Sequence, residues 1–284
     1  MGATKNFTPP PDKPARLCQA SPPLAMDLLV TQAWTTFDHV ALLPCCVTPA
    51  APILFFGNLP AYRASSLRVV TVALNPSHHE FPTEEPFQRF PLLKDNHGRK
   101  PERYLGAMSA YFREDPYREW FQSFEPLLDG LGASYYDGKS ASTALHTEIC
   151  SPVATDPTWS KLDKTYHKAL EKDGGPLFHS LLEALRPQIV VLSVAKDHLK
   201  RIKFTPGTDW KTIHAFRDKK DGSPRRDGPY EIRARWYDVS QQPSLFVFGP
   251  ARTKPLADLT NCRKKEAGGF ILKEYRRNSR TAAC

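Results

Sequence analysis

The alternation of apolar and polar stretches along the chain predicts buried strands separated by helices. The clearest apolar run, Val69-Val70-Thr71-Val72-Ala73-Leu74, ends at the turn Asn75-Pro76-Ser77. A short run of β-branched and aliphatic residues closed by a turn is typical of a buried strand in a parallel sheet. Comparable runs predict further strands at 53–57, 144–150, 189–194, 232–237 (an edge strand) and 245–249.

Segments with helical spacing of apolar residues lie between these runs. They predict helices at 26–43 and 177–185, two helices within 104–130, and one after the loop that follows residue 249. Strands that alternate with helices predict an α/β protein: a three-layer α/β/α sandwich around a central, mostly parallel sheet of four to five strands. The proline-rich residues 1–25 are expected to form a flexible arm, and residues 26–284 a single domain.

Composition adds a candidate partner. The 284 residues carry a formal net charge of +9 with a pI near 9.2, which favours an anionic partner, with nucleic acid first. Arg225 and Arg226 belong to the basic pairs that are candidate phosphate contacts, although solvated surface charge explains most such pairs equally well.

Other sequence features argue against membrane insertion and metal binding. No apolar run approaches the roughly 18 residues that span a bilayer, and the polar N-terminus lacks a signal-peptide core. The six cysteines show no CxxC pair. We therefore expect a reduced, cytoplasmic protein that holds no metal and needs no cofactor.

Three predicted strands end in residues that can carry chemistry: Asn75-Pro76-Ser77, Thr147-Glu148 and Gly249-Pro250-Ala251-Arg252. In a parallel sheet these ends face one crevice, where open α/β folds bind ligands. The long loop after Asn75, rich in aromatic residues and prolines, is of the kind that is usually functional. Taken alone, Asn75 is equally well explained as a turn-capping residue.

The order of these motifs, together with the segment LRPQIVVLSVAK, resembles the uracil-DNA glycosylase superfamily over roughly residues 65–275. The resemblance implies an enzyme that flips a base out of DNA and hydrolyses its N-glycosidic bond. Asn75 matches the position that holds the attacking water in that family. Ser77 and His78 follow in the same loop and are assigned to base binding.

Two positions depart from the family pattern. Glu148 stands where the family places an asparagine that reads uracil. A carboxylate suits the amino group of cytosine, and a buried carboxyl with a raised pKa can protonate a departing base. Glu148 is therefore assigned a catalytic role, although a register shift would make it a surface acid. Gly249 replaces a histidine that in the family stabilises O2 of the leaving base. This role would fall to Arg252, to His78 or His79, or to acid catalysis by Glu148.

The resemblance also suggests residues that contact DNA. Phe81, Phe87 and Phe90 lie in the loop where the family supplies a ring that stacks on the flipped base. Arg252 and Lys254 fall where the family inserts a wedge into the duplex and contacts phosphates. His146 is expected to point to the face opposite Glu148 and to pack or form hydrogen bonds.

The resemblance thus implies a monofunctional DNA glycosylase, and within the family it leans toward bacterial anti-phage enzymes that remove glucosylated 5-hydroxymethylcytosine from phage DNA. We expect a monomer that acts on double-stranded DNA with a flipped base or on single-stranded DNA. A glycosylase for uracil or damaged bases, and an inactive DNA-binding protein of the same fold, are the alternatives.

Overall fold

A computed structural model describes residues 22–95, 97–251 and 255–281, and in this part of the chain it contains seven α-helices and eight β-strands. The helices are α1 (Pro22–Val40), α2 (Leu59–Ala64), α3 (Pro101–Ala110), α4 (Arg118–Phe121), α5 (Glu125–Leu131), α6 (Lys164–Leu185) and α7 (Asn261–Thr281). The strands are β1 (Val69–Ala73), β2 (Ala133–Ser134), β3 (Ser142–Glu148), β4 (Ile189–Leu192), β5 (Thr205–Pro206), β6 (Lys211–Phe216), β7 (Tyr230–Val239) and β8 (Gln242–Phe248). Most of the predicted N-terminal arm, residues 1–21, lies outside the described residues.

The strands form one mixed sheet in the order β2-β3-β1-β4-β8-β7-β5, with β6 also paired to β7. The first five strands of this order run parallel, and β7 pairs antiparallel with β8, β5 and β6. The predicted α/β class is confirmed. The predicted size of the sheet is wrong, because β5, β6 and β7 add an antiparallel extension to the parallel part. These strands are partly exposed, so they lack the continuous apolar run that marks a buried strand.

Strand β1 lies at the centre of the parallel part, between β3 and β4. All five of its residues are buried, as are all of those in β4. A strand covered on both faces needs apolar side chains on both, which explains why these segments read as continuous apolar runs. Thr71 is the polar exception in β1, and it belongs to the site described below.

Helices cover both faces of the sheet. On one face, the His146 ring in β3 lies 5.2 Å from the Phe121 ring of α4 and 5.6 Å from the Phe124 ring beside α5. Thr147, the next residue of the strand, points to the opposite face and borders a small void with Leu177 of α6. Among the described helices, none is both long and apolar enough to cross a bilayer.

Helix α6 is longer than the predicted helix at 177–185, because it begins at Lys164. The segment Gly174-Gly175-Pro176 suggests a break, since proline disrupts the hydrogen bonding of a helix interior. The helix runs through it because Gly174 packs directly on the loop after β3. A Cβ at Gly174 would lie 2.2 Å from the carbonyl oxygen of Cys150.

The N-terminal part of the chain also differs from the prediction. Helix α1 spans Pro22–Val40 rather than 26–43. The predicted strand at 53–57 is a buried, irregular segment, and Phe56 makes only an isolated bridge to His146. Burial explains its apolar sequence, which therefore did not require a strand.

Candidate functional site

The carboxyl ends of β1 and β3 form a topological switch point. From β1 the chain continues to α4 and α5 on one face, whereas from β3 it continues to α6 on the other. Ligands of open α/β sheets bind where such connections diverge. Ala73 pairs with Glu148, and Asn75 lies two residues further along, so strand spacing places the Cα atoms of Asn75 and Glu148 about 8 Å apart.

The side-chain amide of Asn75 is fixed in orientation. Its Nδ2 donates to the carbonyl oxygens of Pro76 (2.8 Å) and Val153 (3.3 Å) and to Oγ1 of Thr155 (2.9 Å). Two of these partners can only accept, so the amide nitrogen must face them. Oδ1 then points away, and within the described part of the chain it receives no hydrogen bond. Asn75 therefore presents a free acceptor oxygen at the switch point.

Thr155 joins the loops that follow β1 and β3. Its backbone N–H donates to the Pro76 carbonyl (3.2 Å), and its carbonyl accepts from the backbone N–H of His78 (3.2 Å). Thr155 is fully buried, and it pairs with Ser77 in an isolated bridge. These contacts place Asn75, Ser77 and His78 on one braced loop.

Glu148 is the end of a buried chain of polar side chains. Its Oε1 lies 3.3 Å from Nε2 of His146, whose Nδ1 lies 2.7 Å from Oγ1 of Thr71; Thr71 in turn contacts the hydroxyl of Tyr135. The expectation that His146 points away from Glu148 is wrong, because residues two apart in a strand share a face. Its hydrogen-bonding role is confirmed.

The second carboxyl oxygen of Glu148 has different surroundings. Oε2 is buried and has no hydrogen-bond partner among the described residues, and the side chain is only 5% exposed. Burial raises the pKa of Glu148, and the neighbouring His146 opposes this shift only in part. The carboxyl therefore holds its proton more strongly than it would in water. In this protonated form Glu148 can donate a proton from Oε2.

A second buried acid, Glu80, was not singled out from the sequence. It follows Asn75 in the same loop, and its Oε2 accepts a hydrogen bond of 2.6 Å from the Tyr111 hydroxyl. Burial raises the pKa of Glu80 to about 7, and the charge of Glu148 contributes to the shift. A single acidic residue in a loop belongs to no hydrophobic pattern, so the sequence does not distinguish Glu80. Only the folded structure shows that it is buried.

Of the three phenylalanines proposed as stacking residues, Phe81 and Phe90 lie in the core and Phe87 packs against it. Phe81 is 3% exposed and Phe90 0%. Their rings stack on each other at 5.4 Å, and Phe87, which is partly buried, meets Phe81 edge-on at 6.0 Å. Phe90 therefore has no ring face open to a base in this conformation.

A different group of rings lies at the mouth of the crevice. His78 and His79 are 4.1 Å apart, His79 stacks on Tyr117 at 4.7 Å, and the Arg89 guanidinium lies 5.9 Å from the Tyr117 ring. Nδ1 of His78 is 3.5 Å from Oδ1 of Asp156 in the loop after β3. Burial and the neighbouring His78 lower the pKa of His79, so its ring is neutral at neutral pH. The sequence indicated His78 and His79 of this group but neither Tyr117 nor Arg89.

The predicted DNA-contacting residues divide into two sets. Arg252 and Lys254 lie outside the described residues. Arg225 Nη2 donates to the Asp258 carbonyl (2.8 Å), and its guanidinium lies 5.5 Å from the ring of Tyr230. Arg226 is exposed. The Tyr230 hydroxyl donates to the carbonyl of Pro250. Arg225 and Tyr230 therefore lie near the carboxyl end of β8, on the same edge of the sheet as Asn75.

A cleft of about 450 Å³ lies at the same edge but on the α6 side, beside Ile149. Arg201 and Glu171 line it and form an ion pair with each other. His179, also in the lining, donates from Nδ1 to the Gly175 carbonyl and accepts at Nε2 from the backbone of Lys203. The polar groups of this cleft are thus largely engaged with one another.

No protein-family model matches the chain, and a comparison with curated protein sequences finds no significant match. The motif resemblance built on Asn75, Glu148 and Gly249 therefore stays a prediction. Within residues 22–95, 97–251 and 255–281, no group of three or more His, Cys, Asp or Glu side chains is arranged to hold a metal ion.

Proposed function

We propose that this protein is a DNA N-glycosylase with a uracil-DNA glycosylase-like fold, which hydrolyses the bond between a flipped base and its sugar and leaves an abasic site. The observation that carries the proposal is the pairing of two groups at one switch point. Asn75 presents a free acceptor oxygen there, and Glu148 presents a buried carboxyl oxygen without a partner. The net charge of +9 suits a polyanionic substrate.

The two groups divide the chemistry of glycosidic cleavage. Breaking the N-glycosidic bond produces an oxocarbenium-like sugar and an electron-rich departing base. Asn75 Oδ1 accepts a hydrogen bond from a water and aims it at the sugar carbon. Glu148, in its acid form, donates a proton to the ring nitrogen of the base through Oε2. A strong nucleophile is not needed, because the sugar is already cationic when the water attacks.

The carboxyl in the reading position favours a cytosine-like base. In its acid form Glu148 can donate to N3 of cytosine, which is an acceptor, whereas N3 of uracil carries a proton and is itself a donor. We therefore propose a modified cytosine as substrate, with glucosylated 5-hydroxymethylcytosine of phage DNA as the specific candidate. In this proposal the enzyme is a monomer and works in the bacterial cytoplasm on double- or single-stranded DNA. A glycosylase for uracil or damaged bases is the alternative within the same class.

In this conformation the base cannot reach Glu148 without movement, since the carboxyl is almost fully buried. Base entry therefore requires residues around the carboxyl to shift, as is common for active sites that close over a substrate.

The proposal is tested by incubating the protein with DNAs that carry uracil, cytosine or modified cytosines, and by revealing abasic sites with alkali. The wild-type protein is expected to release a modified cytosine. Asn75→Ala should abolish release. DNA binding should stay nearly unchanged despite the loss of the three Nδ2 hydrogen bonds, because the backbone of Thr155 still bonds to Pro76 and His78. Asn58→Ala is the matched control, because Asn58 also braces a turn, through Ala61 N and Asp137, away from the strand ends that meet at Asn75.

Each outcome decides between the candidate functions. Release of base by Asn75→Ala at the wild-type rate would exclude the proposed mechanism. Release from uracil-containing DNA alone would favour the repair enzyme. DNA binding without any abasic product across the whole panel would favour an inactive DNA-binding protein of the same fold.

A further inference from the structure

The series of ring contacts at the mouth of the crevice ends in a partly exposed histidine. His79 contacts the rings of both His78 and Tyr117, and Tyr117 also contacts the Arg89 guanidinium. His78 is the end member of this series, and its side chain is 39% exposed. Arg89 fixes the position of these rings, because it donates to the His79 carbonyl (3.0 Å) and to the carboxylate of Asp115 (3.0 Å). His78 is thus a ring on a rigid support rather than a free surface side chain.

A carboxylate lies beside this ring. The side chain of Asp156 is 67% exposed, and its Oδ1 is 3.5 Å from Nδ1 of His78. Nδ1 of His78 makes no hydrogen bond within the described residues, so it does not occupy the Asp156 carboxylate. Asp156 can therefore accept a hydrogen bond from a ligand. The backbones of both residues are fixed, since His78 N–H donates to the carbonyl of Thr155 and Asp156 N–H to that of Cys45.

A stacking ring with an adjacent acceptor is the arrangement that binds a nucleobase. Bases stack on aromatic side chains regardless of sequence, and a hydrogen bond at the base edge adds selectivity. A carboxylate accepts from the amino group of cytosine, adenine or guanine, but thymine offers no amino group. Phe81 and Phe90 of the same loop cannot take this place, because both are buried.

We propose that His78 and Asp156 form a binding site for one unpaired, amino-bearing nucleobase of single-stranded DNA at the mouth of the crevice. His78 stacks on the base, and Asp156 accepts from its exocyclic amino group. The site rests on the proposed function only in taking DNA as the partner, and it needs no base release. It would hold a base next to the β1–β3 switch point, either on its way into the crevice or as the neighbour of the reacting nucleotide.

The test is the binding of short, fluorescently labelled oligonucleotides of deoxycytidine or of deoxythymidine, followed by fluorescence anisotropy. Wild-type protein is expected to bind the deoxycytidine oligomer about fivefold to tenfold more tightly. His78→Ala should weaken binding of both oligomers about tenfold through lost stacking. His78→Phe should restore the affinity, which separates stacking from damage to the loop.

Asp156→Asn should erase the preference for deoxycytidine, because an amide can also donate to O4 of thymine. The ratio of the two affinities is the readout, since removing a negative charge tightens binding to any DNA. The pair His39 and Asp173, 3.1 Å apart on α1 and α6, provides matched controls. His39→Ala and Asp173→Asn change the same side chains and the same charge, and they should leave the ratio unchanged.

Two results would overturn the proposal: His78→Ala binding like His39→Ala, or an unchanged ratio in Asp156→Asn. Neither depends on catalysis. If the protein shows the binding preference but releases no base, this site stands and the glycosylase proposal fails. If it releases base but shows neither effect, the glycosylase proposal stands and this site is refuted.

Discussion

Two neighbouring glycines of helix α7 provide a direct test of how this helix packs. A Cβ added at Gly268 would lie 2.3 Å from the carbonyl oxygen of Leu127 and 2.8 Å from the Cα of Gly130, whereas a Cβ at Gly269 would meet nothing within 4 Å. Ordinary contacts begin near 3.4 Å, so α7 and α5 would have to separate by about 1 Å to admit the methyl group of Gly268→Ala. Both atoms in contact belong to backbone and cannot rotate away.

Both substitutions gain helix propensity, and only Gly268→Ala also introduces a steric clash. Glycine to alanine in a helix interior gains about 1 kcal/mol from helix propensity. At Gly268 this gain is opposed by overpacking, which costs about 1–3 kcal/mol or more where backbone must move. We therefore expect Gly269→Ala to be stabilising by up to about 1 kcal/mol and Gly268→Ala to be destabilising; the shared gain cancels, so the two variants should differ by the overpacking cost of about 1–3 kcal/mol or more.

The measurement is chemical denaturation of both variants and of the wild type, followed by circular dichroism and by tryptophan fluorescence. Thermal melts provide a second readout, in which 1 kcal/mol corresponds to a shift of about 2 °C for a chain of this size. Equal stability of the two variants, or a stabilised Gly268→Ala, would mean that α5 and α7 do not cross at Gly130 and Gly268.

Two further predictions concern the interior below the Asn75 loop. Glu80 has an ordinary pKa of 4.5 that burial raises to about 7, so the folded state binds more protons than the unfolded state within this range. The contribution of Glu80 to stability therefore falls by roughly 3 kcal/mol as the pH rises from 4.5 to about 7; Glu80→Gln should remove this contribution from the pH dependence in denaturant melts, and parallel slopes would refute the assignment. Phe90→Ala should cost about 3–5 kcal/mol of unfolding free energy and the half-buried Phe87→Ala clearly less, and equal losses would show that Phe90 is not in the core.

The parallel part of the sheet was predictable because its strands are buried on both faces. Val69–Ala73 and Ile189–Leu192 are continuous apolar runs with turn residues after them, a pattern that is typical of strands covered on both faces. The antiparallel extension was missed in part because β6 reads Lys-Thr-Ile-His-Ala-Phe and is half exposed. Its pairing with β7 depends on tertiary contact rather than on a local pattern.

The helices also show that tertiary packing can override what local sequence predicts. Propensity alone places a break at Gly174-Gly175-Pro176, yet α6 continues through it. The reason lies outside the helix, since Gly174 is required by the close approach of the Cys150 carbonyl. A rule that penalises glycine in helices cannot anticipate a glycine that the packing demands.

The candidate site was predictable only where strand ends determine it. Asn75 and Glu148 follow directly from the ends of β1 and β3 in a parallel sheet. Glu80 and Asp156 lie in loops, and only the folded chain brings them beside Glu148 and His78. Phe81 and Phe90 are buried, and the sequence could not show this because a loop rich in aromatic residues does not reveal which rings pack inward.

The polar chain from Tyr135 to Glu148 is the strongest departure of this core from ordinary packing. A buried carboxyl with no cation beside it reduces stability, and apolar residues of similar size are often more stable in such positions. His146 and Thr71 offset this cost for one carboxyl oxygen only, because Oε2 stays without a partner in the described structure. Partly satisfied networks are expected where function, rather than stability, fixes the residues. The unpaired oxygen belongs to the last residue of β3, whose Cα lies about 8 Å from that of Asn75 by strand spacing, and this proximity is the physical basis for proposing that the two residues act in one reaction.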